Sequence, residues 1–150
     1  MKKKILLLLS SLVSLTLMLS LTSMKDDDKP IPFAQLPKVV QQFVKANFTS
    51  EVSYVTVDND LIGKSYEVVL VNGTRIEFDG KGNWKDVDAE PGIVPQKIVP
   101  NAISNYVAKN FPGTSIRQIE KRRRGGYQVE LSNELELKFD SSLKFVRMDD

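Results

Sequence analysis

The chain has 150 residues, of which 27% are charged and 41% hydrophobic, and its formal net charge is +2. These fractions are typical of a globular chain and exclude wholesale disorder. Histidine and cysteine are both absent, which excludes catalysis by histidine or a thiol, disulfide bonds, and zinc sites built on these residues.

Residues 1–23 are predicted to be a secretory signal peptide. Three lysines at positions 2–4 precede an uncharged, leucine-rich stretch from Ile5 to Leu21, an order that is typical of a cleaved export signal. The stretch also reaches the lower limit for a membrane span, so an uncleaved anchor is the alternative. After cleavage, residues 24–150 carry 18 basic and 19 acidic residues. We therefore expect a periplasmic or extracellular protein with no membrane contact after cleavage and no nucleic-acid partner, since the mature chain lacks a basic footprint.

Residues 24–30 are predicted to be a charged spacer that ends at Pro30. Asp26, Asp27 and Asp28 suggest cation binding, but adjacent carboxylates converge on one ion only in a shaped loop. A solvated linker is the preferred interpretation.

The remaining chain is predicted to be an internal duplication, residues 31–90 and 91–150. Segments 36–48 and 99–111 match at an offset of 63 residues, where Phe43 aligns with Tyr106. At an offset of 61 residues, Phe78 aligns with Phe139. Trp84 aligns with Phe145 at the same offset.

Each half predicts one helix and then strands. The apolar residues of 36–48 recur at helical spacing. Segments 66–71, 74–79, 127–131 and 135–139 alternate apolar and polar residues, which indicates strands with one wet face. The first strand of each half, near 52–57 and 115–121, has an ambiguous phase that suggests a bulge.

The pattern predicts an α+β fold in which each half is a helix followed by a four-stranded antiparallel sheet. A unit of about 60 residues is marginal alone, because small domains bury a smaller fraction of their surface. We therefore expect the halves to join through a sheet edge, as a continuous eight-stranded sheet with both helices on one face and the other face open.

The chain has a recognisable set of short segments. Those around the two helices are 31–37, 47–48 and 109–113, and those in the strands are 76–79 and 82–84. With them, residues 31–150 resemble the PepSY-like, β-lactamase-inhibitor-like family of secreted bacterial proteins. The resemblance implies a tandem fold like that of the β-lactamase inhibitor protein, whose concave sheet face grips an enzyme.

The basic run Lys121-Arg122-Arg123-Arg124 before Gly125-Gly126 is predicted to be a hairpin tip. Its cations suit a phosphate group, lipopolysaccharide or an acidic protein patch, although a merely solvated tip is the preferred interpretation. The run Asp58–Gly63 begins like a calcium loop, but Ile62 stands where an oxygen ligand is required. No metal site and no cofactor are therefore expected.

Five apolar residues are predicted on the open sheet face, where polar residues are the rule. They are Val69, Val71 and Val87 in the first half, and Val146 and Met148 in the second. Scattered surface apolar residues are normal in globular proteins. A contact patch for a protein or peptide is the functional interpretation.

These observations predict an exported, non-catalytic binding module, either an inhibitor or a sensor of an envelope enzyme or peptide. It would bind through the open sheet face and the hairpin tips, including Arg122, Arg123 and Arg124. One alternative is a hydrolase that uses carboxylates alone, for which Glu134 and Glu136 are available. A structural envelope protein is the other.

Overall fold

A single antiparallel sheet dominates the structure, a computed structural model that describes residues 28–61 and 63–150. The predicted signal peptide and residues 24–27 lie outside this part of the chain. The nine strands of the described residues pair in chain order: β1 (Lys29–Pro30), β2 (Val52–Asp60), β3 (Gly63–Leu70), β4 (Arg75–Asp79), β5 (Trp84–Asp88), β6 (Ile116–Lys121), β7 (Tyr127–Leu131), β8 (Glu136–Phe139) and β9 (Phe145–Asp149).

Two α-helices interrupt this order. Helix α1 (Lys38–Asn47) precedes β2, and helix α2 (Asn101–Asn110) lies between β5 and β6. Pro37 and Pro100 occupy the positions just before the helices, where a missing N–H group costs little. Short 3-10 helices, Phe33–Gln35 and Gln96–Ile98, lead into them.

The predicted α+β class and antiparallel sheet are confirmed, with one strand more than expected. The extra strand is β1, in which Lys29 pairs with Val57 and Pro30 pairs with Thr56. These two residues of the predicted spacer therefore belong to the sheet. Proline is compatible with this place because an edge strand leaves one side of its backbone unpaired.

One buried row of aliphatic side chains crosses the sheet under the helices. Cross-strand pairs bring together Val55, Val68, Ile76, Val87, Ile119, Val129 and Leu137, each 2% exposed or less. Side chains that pair directly across strands point to the same face. The row therefore marks the core face along seven strands.

Both helices pack on this core face through matching aromatic contacts. Phe43 of α1 meets Phe78 edge-to-face at 5.6 Å between ring centroids. Tyr106 of α2 meets Phe139 at 5.5 Å in the same geometry, an arrangement that aromatic quadrupoles favour. Since Phe78 and Phe139 lie two residues from Ile76 and Leu137 of the buried row, both helices cover the same face.

Bulges shift the strand phase at four places. Those between Val52 and Tyr54 and between Ile116 and Gln118 confirm the bulge predicted in the first strand of each half. Two more were not predicted. Because Phe78 pairs with Trp84 while Glu77 pairs with Asp86, Lys85 is an extra residue in β5. In the same way, Val146 is an extra residue in β9, between Phe145 and Arg147.

These extra residues make two predicted open-face positions wrong. Val87 pairs with Ile76 and is fully buried on the core face, because the bulge at Lys85 resets the alternation that starts from Trp84. In β9, Phe145 pairs with Phe139 but Met148 pairs with Leu137. Met148 therefore points to the helix side of the sheet, where it is 47% exposed.

We expect Phe78→Ala and Phe139→Ala each to destabilise the protein by about 3–5 kcal/mol, because both rings are fully buried. Val71→Ala is the control, since Val71 is 67% exposed, and it should change stability by less than about 0.5 kcal/mol. Chemical denaturation at constant pH measures all three. A loss below about 1 kcal/mol at either phenylalanine would contradict the assigned core.

Candidate functional site

The sheet face opposite the helices, called the open face below, is not covered by either α-helix of the described residues. Two rows of cross-strand neighbours cross it from β2 to β9. The first row runs Thr56, Glu67, Glu77, Asp86, Glu120, Gln128, Lys138, Arg147. The second row runs Tyr54, Val69, Arg75, Asp88, Gln118, Glu130, Glu136, Asp149.

Acidic residues dominate both rows, and the basic ones lie mostly at one margin. The sixteen positions hold eight carboxylates and three basic side chains. In β8 and β9, Lys138 Nζ lies 2.8 Å from Glu136 Oε1 and 2.6 Å from Asp149 Oδ2. Arg147 also approaches Asp149. The charge at this margin is therefore paired.

The centre of the first row is an uninterrupted run of carboxylates on four neighbouring strands: Glu67 on β3, Glu77 on β4, Asp86 on β5 and Glu120 on β6. Adjacent strands lie about 4.8 Å apart, and like charges directly opposite each other are unfavourable. Lys85 Nζ compensates in part, at 3.9 Å from Glu77 Oε2 with both side chains half-exposed.

Three carboxyl groups of the open face have raised pKa values. Burial raises the pKa of Asp86 to about 6, helped by the charges of Glu77, Glu120 and Asp88, while a hydrogen bond from Gln118 Nε2 to Asp86 Oδ1 at 2.9 Å opposes the rise. Burial also raises the pKa values of Glu67 and Glu130, again with help from neighbouring carboxylates, while Arg75 opposes the rise at Glu67 and Arg117 opposes it at Glu130. A cationic neighbour would relieve this repulsion.

The predicted hairpin tip lies between β6 and β7. The backbone of Arg122 exchanges hydrogen bonds with Gly125 and Gly126, and Arg122, Arg123 and Arg124 are exposed. Lys121 turns away to the helix side, where its Nζ lies 4.0 Å from the centroid of the Trp84 ring and burial lowers its pKa. The tip thus presents three arginines.

Three of the predicted apolar positions remain to be placed. Val69 lies in the second row but is only 8% exposed, between its cross-strand neighbours Tyr54 and Arg75. Val71 is 67% exposed just after the end of β3. Val146 is the extra residue of the β9 bulge and is 54% exposed. The structure does not bring these residues together in one patch.

The structure does not bring together the carboxylates considered for hydrolysis. Glu134 lies before β8 in an exposed turn with φ of 70°, and Glu136 of β8 is paired with Lys138. Two cavities of about 220 and 190 Å³ flank Ile93, and none of the residues that line them is ionisable.

Within the described residues, no group of three or more acidic, histidine or cysteine side chains is arranged to hold a metal ion. Nor does this part of the chain contain a helix long and apolar enough to cross a membrane.

The acidic centre of the open face was not identified from the sequence. Alternation alone places Glu67 and Glu77 on the polar faces of their strands, and it leaves Glu120 unplaced because the phase of 115–121 is ambiguous. Their alignment into one row depends on the bulges and on the pairing of β5 with β6. Neither of these is marked by a turn or by a spacing in the sequence.

A family model described as "Putative beta-lactamase-inhibitor-like, PepSY-like" matches residues 22–63 and 64–147 of the chain. The boundary between the two matches falls next to the β2–β3 turn. No curated protein of matching sequence is found.

Solved structures of Bacteroides proteins are similar over most of the chain. One from Bacteroides thetaiotaomicron, described as a "putative calcium-regulated periplasmic protein", is 44% identical, with a TM-score of 0.80 over 83% of this chain and 98% of its own. A protein of the DUF2874 family from Bacteroides vulgatus, described as a "putative periplasmic protein", is 41% identical, with a TM-score of 0.79 over 85% of this chain and 100% of its own. A second Bacteroides vulgatus protein, described as a "putative periplasmic protein of unknown function", is 32% identical, with a TM-score of 0.77 over 82% of this chain and 99% of its own. The predicted export is thereby confirmed.

We expect Asp86→Asn to stabilise the protein at neutral pH. The folded-state pKa of about 6 exceeds the value of about 3.9 in an unfolded chain, so the folded state binds more protons between these values. Stability of the unmodified protein should therefore fall as the pH rises from about 4 through about 6. The variant has no titrating group at position 86 and so avoids this loss of stability. Its amide oxygen can still accept the hydrogen bond from Gln118.

Thermal unfolding across this pH range measures the effect, with Glu134→Gln at an exposed turn as the control. The melting temperature of Asp86→Asn should exceed that of the unmodified protein above about pH 6, and the difference should vanish near pH 4. A variant that is no more stable at neutral pH would contradict the unfavourable charge at Asp86.

Proposed function

Because the chain belongs to the PepSY-like, β-lactamase-inhibitor-like family, we propose that it is an exported, non-catalytic binding protein whose open face receives a protein or peptide of the cell envelope. The observation that carries the proposal is the uncovered second face of the sheet. Both α-helices pack on the other face, through Phe43 and Tyr106.

The dimensions of the open face support this proposal. From β2 to β9, seven gaps of about 4.8 Å span about 34 Å, and strands of five residues are about 17 Å long. The resulting area is near 570 Å², which is comparable with the roughly 800 Å² that each partner buries in a standard protein interface. An enzyme that acts on a small molecule would instead have its polar groups gathered in a concave pocket.

We also propose that the chain is a tandem duplication of one helix and four strands. Equivalent contacts support it: Phe43 lies 6.3 Å from Phe48, and Tyr106 lies 6.4 Å from Phe111. Asn47 and Asn110 each donate a side-chain hydrogen bond to the carbonyl of the aligned aromatic residue. The bulges also fall at aligned places, at Lys85 and at Val146.

Blocking the open face should abolish partner binding, and the absence of cysteine allows a clean steric test. Gln128→Cys places a single thiol in the first row without changing the charge. Gln42→Cys places one on the exposed side of α1. Each variant is coupled to a bulky polyethylene glycol maleimide and used to capture partners from an envelope extract.

We expect the unlabelled variants and the conjugate at position 42 to capture the same partner, and the conjugate at position 128 to lose it. Mass spectrometry and surface plasmon resonance then identify the partner and measure its affinity. Equal capture by the two conjugates would exclude the open face, and selective loss at position 42 would move the site to the helices.

The arginine tip is proposed to orient the partner during encounter rather than to hold it. Replacing Arg122, Arg123 and Arg124 by Ser should change the association rate constant and weaken its salt dependence, because rim charges act mainly through long-range steering. The melting temperature should stay nearly constant, since all three side chains are exposed. Unchanged association kinetics over a salt series would leave the tip without a role in binding.

A further inference from the structure

The charge of the open face is local and does not reflect the molecule as a whole. Residues 24–150 carry 18 basic and 19 acidic residues, so the mature chain is nearly neutral. Yet from β2 to β7 the two rows hold six carboxylates and a single basic side chain, Arg75. Lys85 lies beside Glu77 of the first row, whereas Arg122, Arg123 and Arg124 lie at the tip.

The arrangement is unfavourable in the absence of a partner. Glu67, Glu77, Asp86 and Glu120 are direct cross-strand neighbours, and burial adds to their mutual repulsion at Asp86. Lys138 and Arg147, which would relieve it, are engaged with Glu136 and Asp149 at the far margin. The run of carboxylates therefore lacks a full set of counter-charges within the described residues.

We propose that the partner of the open face presents a cationic polypeptide segment, whose lysine or arginine side chains lie along Glu67, Glu77, Asp86 and Glu120. This inference rests on the proposed function, since it names the chemistry of the partner at the same face. Its basis is charge complementarity: the face is uncovered, and its centre carries carboxylates whose repulsion Lys85 and Arg75 relieve only in part.

The dimensions of the row and the position of the tip define how the segment lies. Four carboxylates on neighbouring strands span three gaps, or about 14 Å, which three or four basic side chains on one side of a segment would match. The arginines of the tip extend from the end of β6, the strand that carries Glu120. They repel a cationic segment there, and so direct it across the strands rather than along them.

The test uses synthetic dodecapeptides of alternating lysine and serine as the cationic probe. Matched peptides in which glutamate or glutamine replaces lysine supply the anionic and neutral probes. Backbone amide shifts in nuclear magnetic resonance spectra of residues 24–150 locate binding, and titration gives the dissociation constant. The cationic peptide should perturb amides of β3–β6, and the glutamate peptide should not.

Two charge-matched triple variants make the test specific to the row. Glu77→Gln, Asp86→Asn and Glu120→Gln together should weaken binding of the lysine peptide about tenfold or more at low salt. Glu51→Gln, Glu134→Gln and Asp150→Asn remove the same charge at exposed positions outside both rows, and should change it less than about twofold. Melting curves verify that both variants are folded.

Each remaining outcome overturns the inference. Equal affinity of the two variants, or shifts confined to the helices or the tip, would show that the row does not select cations. If the glutamine peptide perturbs β3–β6 more strongly than the lysine peptide, the open face binds but its partner is not cationic, so the proposed function stands without this inference. If the conjugate at position 128 still captures the natural partner, the proposed function itself fails.

Discussion

The pairing of β5 with β6 is the constraint on which the rest of the structure depends. It joins the two helix-and-strand units through only three residue pairs, Asp86 with Glu120, Val87 with Ile119, and Asp88 with Gln118. The middle pair makes the buried row continuous, because Val87 and Ile119 are both fully buried. The outer pairs make the open face continuous. A core shared in this way gives each short unit the burial that it could not reach alone.

The same pairing explains why the acidic centre exists at all. Within the first unit alone, the carboxylates of the first row would be only Glu67, Glu77 and Asp86, and the hydrogen bond from Gln118 to Asp86 would be missing. The pairing of β5 with β6 adds Glu120 beside Asp86, and the charge of Glu120 helps to raise the pKa of Asp86. The raised pKa of Asp86 therefore depends on the assembled chain and not on one unit. Between β5 and β6, the buried pair Val87–Ile119 lies next to the unfavourable charge pair Asp86–Glu120.

Much of the fold could be predicted from the sequence, and the limit lies at identifiable residues. The alternation of Ile76 with Phe78 and of Leu137 with Phe139 placed the core face correctly, because period-two patterning is unambiguous within one uninterrupted strand. The predicted alternation fails at Lys85 and at Val146. At each place one extra residue moves the later side chains of the strand to the opposite face of the sheet. Nothing in the local residue types marks these bulges, so Val87 and Met148 were assigned to the wrong face. The candidate site was harder to predict than the core face. Its first row depends on the register of all the strands that it crosses and not on the phase of a single strand.

The edges of the sheet are protected unequally against pairing with another chain. At one edge, β1 has only two residues, and one of them is Pro30, which has no N–H group to donate. At the other, β9 offers five residues without proline or lysine, with Val146 and Met148 exposed on it. Sheet proteins avoid strand addition with short strands, prolines, charged side chains and bulges. Of these, β9 has only the bulge at Val146 and the charges of Arg147 and Asp149. Of the two edges in the described residues, β9 is thus the one open to aggregation at high protein concentration, and a single proline or lysine there would close it.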